Sequence, residues 1–315
     1  MHTRYANPRP LKLFQSLSLW LPLCLLYLFA NASFSHADAT RPYLWVIENG
    51  VTPSYLFGTI HSGHPELNQL PEKVKLAFSH SDRYYGELEL DQHSIATTRE
   101  LLQLPEGQQL SHLLSKHQIT RINKLLAATA ENLSLSLFDR LKPWALAISL
   151  SLLEDQLRYG RYPAMDQQLY AQAITQGKAT GALETPRQQT RVFDSLSWRE
   201  QMQLLDAVLQ AMEQSLETAA SGMDQTYAAY LSGDPDQLNA LLDQQLPVSD
   251  RLQRKIQRLL ITERNRYMSE QISQQLNQHP NQQLFFAVGA AHFGSKKGIQ
   301  ALLQQRGFSI KRAVQ

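Results

Sequence analysis

Two segments near opposite ends of the chain repeat one pattern, in which an apolar, strand-like run ends in Gly-x-x-His. The first is SYLFGTIH over residues 54–61, and the second is LFFAVGAAH over residues 284–292. Each segment is followed by a helix-like stretch and then by another strand-like run. Because strands that alternate with helices form a sheet covered by helices, the repeat predicts an α/β fold with two pseudo-symmetric β-Gly-x-x-His-α-β halves.

Further strand and helix signals surround the first half. The apolar runs 43–47 and 54–57 are separated by a stretch that contains Asn49-Gly50, which predicts a β-hairpin. After His61, Pro71 indicates the start of a helix, and residues 84–90 read as the next strand.

The second half has the same order, with a helix over 297–306 and a strand over 308–313. Between the halves, residues 95–280 consist mostly of helix-forming residues, apart from a short strand-like run over 179–185. We therefore expect a central mixed sheet flanked by helices, with a large helical insertion between the halves. Residues 38–315 are expected to form a single domain.

Residues 1–37 have the layout of a secretory signal peptide. A cationic start precedes the apolar run 17–30, and Ser35-His36-Ala37 offers a cleavage site, with 30–32 as the alternative. The apolar run is shorter than the roughly 20 residues that span a bilayer. We expect a periplasmic or secreted protein with no stable membrane span after cleavage, and an uncleaved anchor is the alternative.

Charge and cysteine content exclude several classes of function. The first 37 residues carry three of the 30 basic residues and none of the 28 acidic ones, so the remaining chain has a net charge of about −1. No basic stripe is present, which excludes a nucleic-acid partner. The one cysteine, Cys24, lies in the apolar run, so the exported chain contains no thiol for catalysis or metal ligation.

The histidines and one acidic strand are the candidates for chemistry. His61 and His292 would converge if the two halves pack as a symmetric pair, since ligands bind beyond the carboxyl ends of strands in open α/β sheets. Glu87 and Glu89 alternate with leucines in the predicted strand 84–90 and would share one face. Two carboxylates on an otherwise apolar strand point either to a wet edge or to a metal ligand or base.

Histidine and carboxylate ligands without cysteine suit Mn²⁺, Co²⁺ or Zn²⁺, and an open coordination position on such an ion would activate water. We predict His61, His292 and Glu87 as the metal ligands, with Glu87 also a candidate base. Arg264 is a candidate for holding a carboxylate or a developing oxyanion. Supporting roles are possible for four further residues, namely Glu89, Glu184, Asn265 and His64.

These motifs together resemble the TraB/PrgY/GumN family, over a stretch from Tyr43 to Arg312. The matching segments are LFGTIH at 56–61, GELEL at 86–90, LET at 183–185, ERN at 263–265 and VGAAH at 288–292. Two positions depart from the usual pattern: Glu89 stands where Asp is common, and Ala164 precedes Asp166 where Gly is common.

The resemblance implies an α/β fold like that of the erythromycin-esterase and ChaN-type proteins. For the Tiki branch of the family it implies a divalent-metal-dependent protease that uses both Gly-x-x-His motifs and the glutamate. Two hypotheses follow. The chain is an exported metal-dependent hydrolase acting on peptides or proteins, or it is a non-catalytic extracytoplasmic protein that binds a metal, haem or a peptide. The sequence leaves substrate, metal and oligomeric state open.

Overall fold

The structure is a computed structural model that describes residues 42–49, 52–67, 69–218, 222–242 and 247–313. The predicted signal peptide over 1–37 lies outside these residues. Six strands form one sheet: β1 (Leu44–Asn49), β2 (Thr52–Thr59), β3 (Arg83–Gly86), β4 (Ala179–Ala182), β5 (Leu284–Gly289) and β6 (Ser309–Arg312).

The strand order in the sheet is β4-β3-β5-β2-β1-β6. Strand β1 is antiparallel to both of its neighbours, β2 and β6, whereas the pairs β2·β5, β5·β3 and β3·β4 are parallel. The predicted hairpin and the mixed α/β sheet are thus confirmed. The strands that carry the two Gly-x-x-His segments, β2 and β5, lie side by side at the centre.

The two halves are related by this central pair. Strand β3 of the first half lies beyond β5, and β6 of the second half lies on the opposite side of the sheet, beyond β2. The hairpin strand β1 separates β2 from β6 and so breaks the symmetry. All six residues of β5 are buried, as expected for a parallel strand that is covered on both faces.

Helices fill both the connections within the halves and the long middle of the chain. They are α1 (Glu72–His80), α2 (Gln92–Leu101), α3 (Leu110–Leu113), α4 (Lys116–Thr129), α5 (Pro143–Ser151), α6 (Leu153–Tyr159), α7 (Met165–Thr175), α8 (Pro186–Asp194), α9 (Trp198–Thr218), α10 (Gly222–Leu231), α11 (Pro235–Leu242), α12 (Asp250–Gln257), α13 (Arg264–Gln278) and α14 (Ile299–Gln305). A π-helical segment, Arg258–Glu263, joins α12 to α13. In the described part of the chain, no helix is both long and apolar enough to cross a membrane.

Two clusters of buried apolar residues stabilise the molecule. One surrounds the sheet and includes Phe57, Phe285 and Phe286. The other lies within the helical middle and includes Trp144, Ile148 and residues of α9. The insertion therefore has an apolar core of its own in addition to the helices that it contributes to the sheet.

One detail of the sequence prediction needs correction. The strand predicted over 84–90 is too long: β3 ends at Gly86, and the chain bends at the next two residues. The short strand predicted over 179–185 is present as the four-residue β4, which pairs with β3 and forms one edge of the sheet.

Candidate metal centre

The two Gly-x-x-His segments end at the same edge of the sheet because β2 and β5 are parallel neighbours in register. Gly58 pairs with Val288, and Thr59 pairs with Gly289. His61 follows the end of β2, and His292 lies in a single 3₁₀ turn directly after β5. The chain thus brings both predicted histidines to the carboxyl ends of its two central strands, where ligands bind in sheets of this kind.

His292 is completely buried, and its ring is held by Asn265, which the sequence analysis named as a supporting residue. The Nδ1 of His292 lies 2.5 Å from Asn265 Oδ1, and the Nδ2 of Asn265 donates to the carbonyl of Lys297 at 2.8 Å. Burial, together with Arg264 and His61, holds the pKa of His292 well below its ordinary value. The imidazole is therefore neutral, with its proton on Nδ1, because Asn265 Oδ1 can only accept.

The other ring nitrogen of His292 is the notable atom of the site. Its Nε2 is buried and has no hydrogen-bond partner among the described residues. It lies 4.0 Å from Glu87 Oε1. Two ligands that each stand about 2.0–2.2 Å from one ion can be at most about 4.4 Å apart, so this pair of atoms fits a shared metal.

His61 is held by Asp166, which lies in the first turn of α7. The Nδ1 of His61 contacts Asp166 Oδ2, and Thr59 Oγ1 donates to Asp166 Oδ1 at 2.7 Å. Burial lowers the pKa of His61, but the Asp166 carboxylate outweighs it and the net shift is upward. A carboxylate on Nδ1 fixes the ring orientation and leaves Nε2 as the nitrogen for a ligand role, the arrangement common around metal-binding histidines.

Glu87 follows β3 directly, and each of its two oxygens has a separate set of partners. Oε1 accepts the backbone N–H of Gly289 at 2.7 Å. Oε2 accepts from Arg264 Nη2 at 2.5 Å and from Gln189 Nε2 at 3.2 Å. Burial raises the pKa of Glu87, while Arg264 and His61 counteract that rise.

Arg264 is buried between two carboxylates and begins helix α13 immediately after the π-helical segment. Its Nε lies 3.1 and 3.0 Å from the two oxygens of Glu184, and its Nη2 lies 2.6 Å from Glu184 Oε2. With the bond to Glu87, the guanidinium bridges both acids. Burial lowers the pKa of Arg264, but the two carboxylates outweigh it, so the group stays charged.

Negative charge exceeds positive charge in this part of the interior. The site holds the three carboxylates of Glu87, Glu184 and Asp166, and the guanidinium of Arg264 contacts the first two. With His292 neutral, the formal charge of these groups is −2 when His61 is neutral and −1 when His61 is protonated, so negative charge is in excess in both cases. An uncompensated buried charge is costly, so this set of side chains suits a divalent cation.

The described residues do not form a complete ligand set as they stand. No group of three or more His, Asp or Glu side chains in that part of the chain is close enough to hold a metal ion. Glu87 and His292 fit a shared ion by distance, and His61 is near enough to influence the pKa of both. Imidazole nitrogen and carboxylate oxygen donors are of the kind that Mn²⁺, Co²⁺ and Zn²⁺ accept.

Two of the predicted supporting residues lie elsewhere. Because β3 ends at Gly86, Glu87 and Glu89 do not share a face: Glu87 is buried, whereas Glu89 is half-exposed and accepts a hydrogen bond from Thr180 at 3.0 Å. The ring of His64 packs against Tyr159 and Tyr227, with ring centroids 4.8 and 4.6 Å away.

Two residues at the site were not predicted as such, namely Asp166 and Gln189. Asp166 lies in the first turn of a helix, where an acidic residue is ordinary because it complements the helix dipole. Gln189 is one of many glutamines in this chain, and its local sequence does not distinguish it from the others. The position of Asp166 relative to the resembled family pattern was the only available signal.

The chain is similar in sequence to proteins that are already known. The sequence profile of the TraB/PrgY/gumN family matches residues 43–312. The chain is 28% identical to Metalloprotease TIKI2 of Danio rerio, over 93% of this chain and 67% of that protein. It is 25% identical to Metalloprotease TIKI1 of Homo sapiens, over 86% and 62%, and 26% identical to a Metalloprotease TIKI homolog of Amphimedon queenslandica, over 88% and 62%.

The chain thus spans at most 67% of the length of these three relatives. No solved structure matches it.

Proposed function

The chain belongs to the TraB/PrgY/gumN family, and from that premise we propose that it is a metal-dependent protease whose ion is held by His61, His292 and Glu87. The observation that carries the proposal is the pair formed by the buried Nε2 of His292 and Glu87 Oε1, 4.0 Å apart. The relatives named metalloproteases, at 25–28% identity, support the reaction class.

In this proposal the protein's own groups orient the ligands. Asp166 holds His61 through Nδ1, and Asn265 holds His292 in the same way, so both rings offer Nε2. Arg264 and Gly289 hold the two oxygens of Glu87. Such supporting contacts fix ring tautomers and raise the basicity of the ligands.

Glu87 has a second role in the proposal. We also propose Glu87 as the base, because its Oε1 lies 4.0 Å from His292 Nε2 and a base must lie within reach of the reacting group. Arg264 supports it as its charged partner and not as an oxyanion donor, since its Nε and Nη2 are engaged by Glu87 and Glu184. A divalent ion supplies Lewis acidity toward water and toward the carbonyl of a peptide bond.

The test is elemental analysis of the purified protein, comparing wild type with His61→Ala and His292→Ala. His64→Ala is the matched control, because His64 is a half-buried histidine three residues from His61 that packs on tyrosines. We expect near-stoichiometric Mn, Co or Zn in wild type and control, and loss of metal in the other two variants. Equal metal content in all four proteins would contradict the proposal.

Turnover separates the two hypotheses about activity. We expect the metal-loaded protein to cleave peptides from a mixed peptide pool and the two metal-deficient variants to leave the pool intact. Stoichiometric metal without cleavage of any peptide would support the binding-protein alternative instead. A Soret band after reconstitution would identify haem as the bound group.

We further propose that the protein is exported, because residues 1–37 have the charge and hydropathy pattern of a signal peptide. The mature chain should begin at Asp38, or at Ser33 if the alternative cleavage site is used. N-terminal sequencing of protein from its native host decides this. Recovery of an intact Met1 from the cytosol would overturn it.

A further inference from the structure

Gln189 lies in the first turns of helix α8 and is almost completely buried, with 1% of its surface exposed. Thr185 caps this helix and Pro186 is its first residue, so Gln189 follows Glu184 closely in space as well as in sequence. Its Nε2 lies 3.2 Å from Glu87 Oε2 and 3.2 Å from Glu184 Oε2. One amide group therefore bridges the two acids of the centre.

Arg264 contacts the same two oxygen atoms. Its Nη2 is 2.5 Å from Glu87 Oε2 and 2.6 Å from Glu184 Oε2. Two converging carboxylate oxygens are thus held by two donors, one charged and one neutral. Without Gln189, the guanidinium of Arg264 alone would hold these two like charges together in a buried place, where charge repulsion is strong.

The orientation of the Gln189 amide follows from its neighbours. Ionised carboxylates only accept hydrogen bonds, so the NH₂ end must face Glu87 and Glu184. The other end, Oε1, is buried and has no hydrogen-bond partner among the described residues. An apolar side chain of the same length would fill this space without leaving an oxygen unpaired. The amide is therefore explained by what its NH₂ group does, and packing alone does not account for it.

The consequence concerns which oxygen of Glu87 faces the ion. Arg264 and Gln189 both engage Oε2, and the Gly289 N–H engages Oε1, so rotation of the carboxylate is blocked at both ends. Oε1 is the oxygen that lies 4.0 Å from His292 Nε2. Building on the proposed function, we propose that Gln189 is a positioning residue of the metal centre, which holds Glu87 and Glu184 together and presents Glu87 Oε1 to the ion.

The test is Co²⁺ titration of the metal-free full-length protein, followed by visible absorption and by calorimetry. Gln189→Met removes the donor and keeps the length, and Gln189→Leu removes the donor with a branched apolar side chain and adds no charge. Gln156→Met is the matched control, because Gln156 is also a buried glutamine with an unpaired Oε1 but lies on α6. Loss of a contact that supports a metal ligand typically weakens binding by about 10–100-fold.

We expect both Gln189 variants to bind Co²⁺ about 10–100-fold more weakly than wild type and to show an altered d–d spectrum, whereas Gln156→Met keeps the affinity and spectrum of wild type. If both Gln189 variants match wild type in affinity and spectrum, Gln189 acts through packing alone and the inference is overturned. If wild type itself binds no Co²⁺, Mn²⁺ or Zn²⁺, the proposed function fails and the inference falls with it. Should Gln189→Met fail to fold, Gln189→Leu decides the question.

Discussion

At the scale of single residues, Glu87 is where the contacts of the candidate centre meet. It accepts hydrogen bonds from the backbone N–H of Gly289 at the end of β5, from Arg264 and from Gln189. Its Oε1 also lies 4.0 Å from His292 Nε2. Glu89, two residues later, accepts a hydrogen bond from a threonine of the edge strand. The two glutamates of one short segment thus have unequal roles in the proposed mechanism.

Glu87→Gln should therefore abolish metal-dependent activity and lower metal affinity by more than about 100-fold, because it removes an anionic ligand and not only a supporting contact. Arg264 would still pair with Glu184, so we expect the fold to survive with a loss of about 1–3 kcal/mol in the free energy of unfolding. Glu89→Gln is the control and should retain both metal and activity. Metal analysis, an activity assay and chemical denaturation test this prediction. Loss of metal and activity in Glu89→Gln but not in Glu87→Gln would show that Glu89, and not Glu87, is the ligand.

A second buried cluster lies directly after His61. Ser62 Oγ donates to Asp155 Oδ1 at 2.9 Å and lies 2.6 Å from the hydroxyl of Tyr227, which also donates to Asp155. When Asp155 is ionised, the hydroxyl groups of Ser62 and Tyr227 supply two protons for the three contacts among these residues. Burial raises the pKa of Asp155 to about 6, with smaller opposing effects from Tyr227, Ser62 and Arg158.

This raised pKa predicts a pH dependence of stability with a defined sign. The folded protein binds the Asp155 proton more tightly than the unfolded chain, so the contribution is full below the ordinary pKa of 3.8 and is lost as pH rises through about 6. The loss should be roughly 3 kcal/mol. In Asp155→Asn the amide cannot ionise, and this contribution should be absent.

The measurement is the free energy of unfolding of both proteins at several pH values between 4 and 7. The difference between wild type and Asp155→Asn should move in favour of the variant as pH rises. An unchanged difference across that range would show that Asp155 is ionised throughout.

At the scale of elements, the glycine of the first Gly-x-x-His segment serves close packing. Gly58 does not have a positive φ, so its backbone conformation does not by itself require glycine. A Cβ added to Gly58 would lie 2.8 Å from Tyr43 Cβ. The hydroxyl of Tyr230, on α10, also donates to the carbonyl of Gly58 at 2.8 Å. This strand end is packed from two sides, which fixes where the histidine loop begins.

Gly58→Ala should therefore force Tyr43 or β2 to shift. Overpacking of this kind costs about 1–3 kcal/mol. We expect a lower midpoint of chemical denaturation and weaker metal binding, since His61 lies three residues further on. Ala127→Gly in helix α4 is the control, because it lowers stability without changing the centre. Gly107→Ala is unsuitable, since the φ of Gly107 is positive and alanine would be strained there. Wild-type stability and metal affinity in Gly58→Ala would refute the packing argument.

The helical middle contributes elements to the centre as well as a core of its own. Helix α7 supplies Asp166 to His61, α8 supplies Gln189, and α13 supplies Arg264 and Asn265. The sheet provides the histidines and Glu87, and the insertion provides the side chains that hold them. A large insertion between two halves of a sheet is therefore part of the site.

At the scale of the whole molecule, the excess of negative charge at the centre links metal binding to stability. The carboxylates of Glu87, Glu184 and Asp166 outnumber the cationic groups that pair with them, Arg264 and a protonated His61, and this excess of buried negative charge opposes folding until a cation offsets it. An ion that binds only the folded state stabilises it, by about 2.7 kcal/mol at a concentration 100 times its Kd.

We therefore expect Mn²⁺ or Zn²⁺ to raise the Tm of the metal-free protein by several degrees and EDTA to reverse the change. His292→Ala should show no such shift, because it removes the buried Nε2 that faces Glu87. Differential scanning calorimetry provides the measurement. Identical Tm values with excess metal and with EDTA would argue against a centre that contributes to folding.

The sequence alone determined the α/β class, the central strands and most of the candidate residues, because these follow from local signals: an apolar run, a Gly-x-x-His segment and helix periodicity. His61, His292 and Glu87 were identifiable in this way, whereas Arg264 and Asn265 were singled out through the segment 263–265, which resembles the family pattern.

Only the tertiary structure decided how these residues are held. The bonds from Arg264 to Glu184 and Glu87 join residues 80 and 177 positions apart, and the Gly289 N–H reaches Glu87 across 202 positions. No local pattern encodes such contacts, so neither the role of Gln189 nor the partner of His61 could be predicted. The bend after Gly86, which separates Glu87 from Glu89, likewise depends on how β3 packs beside β4 and β5.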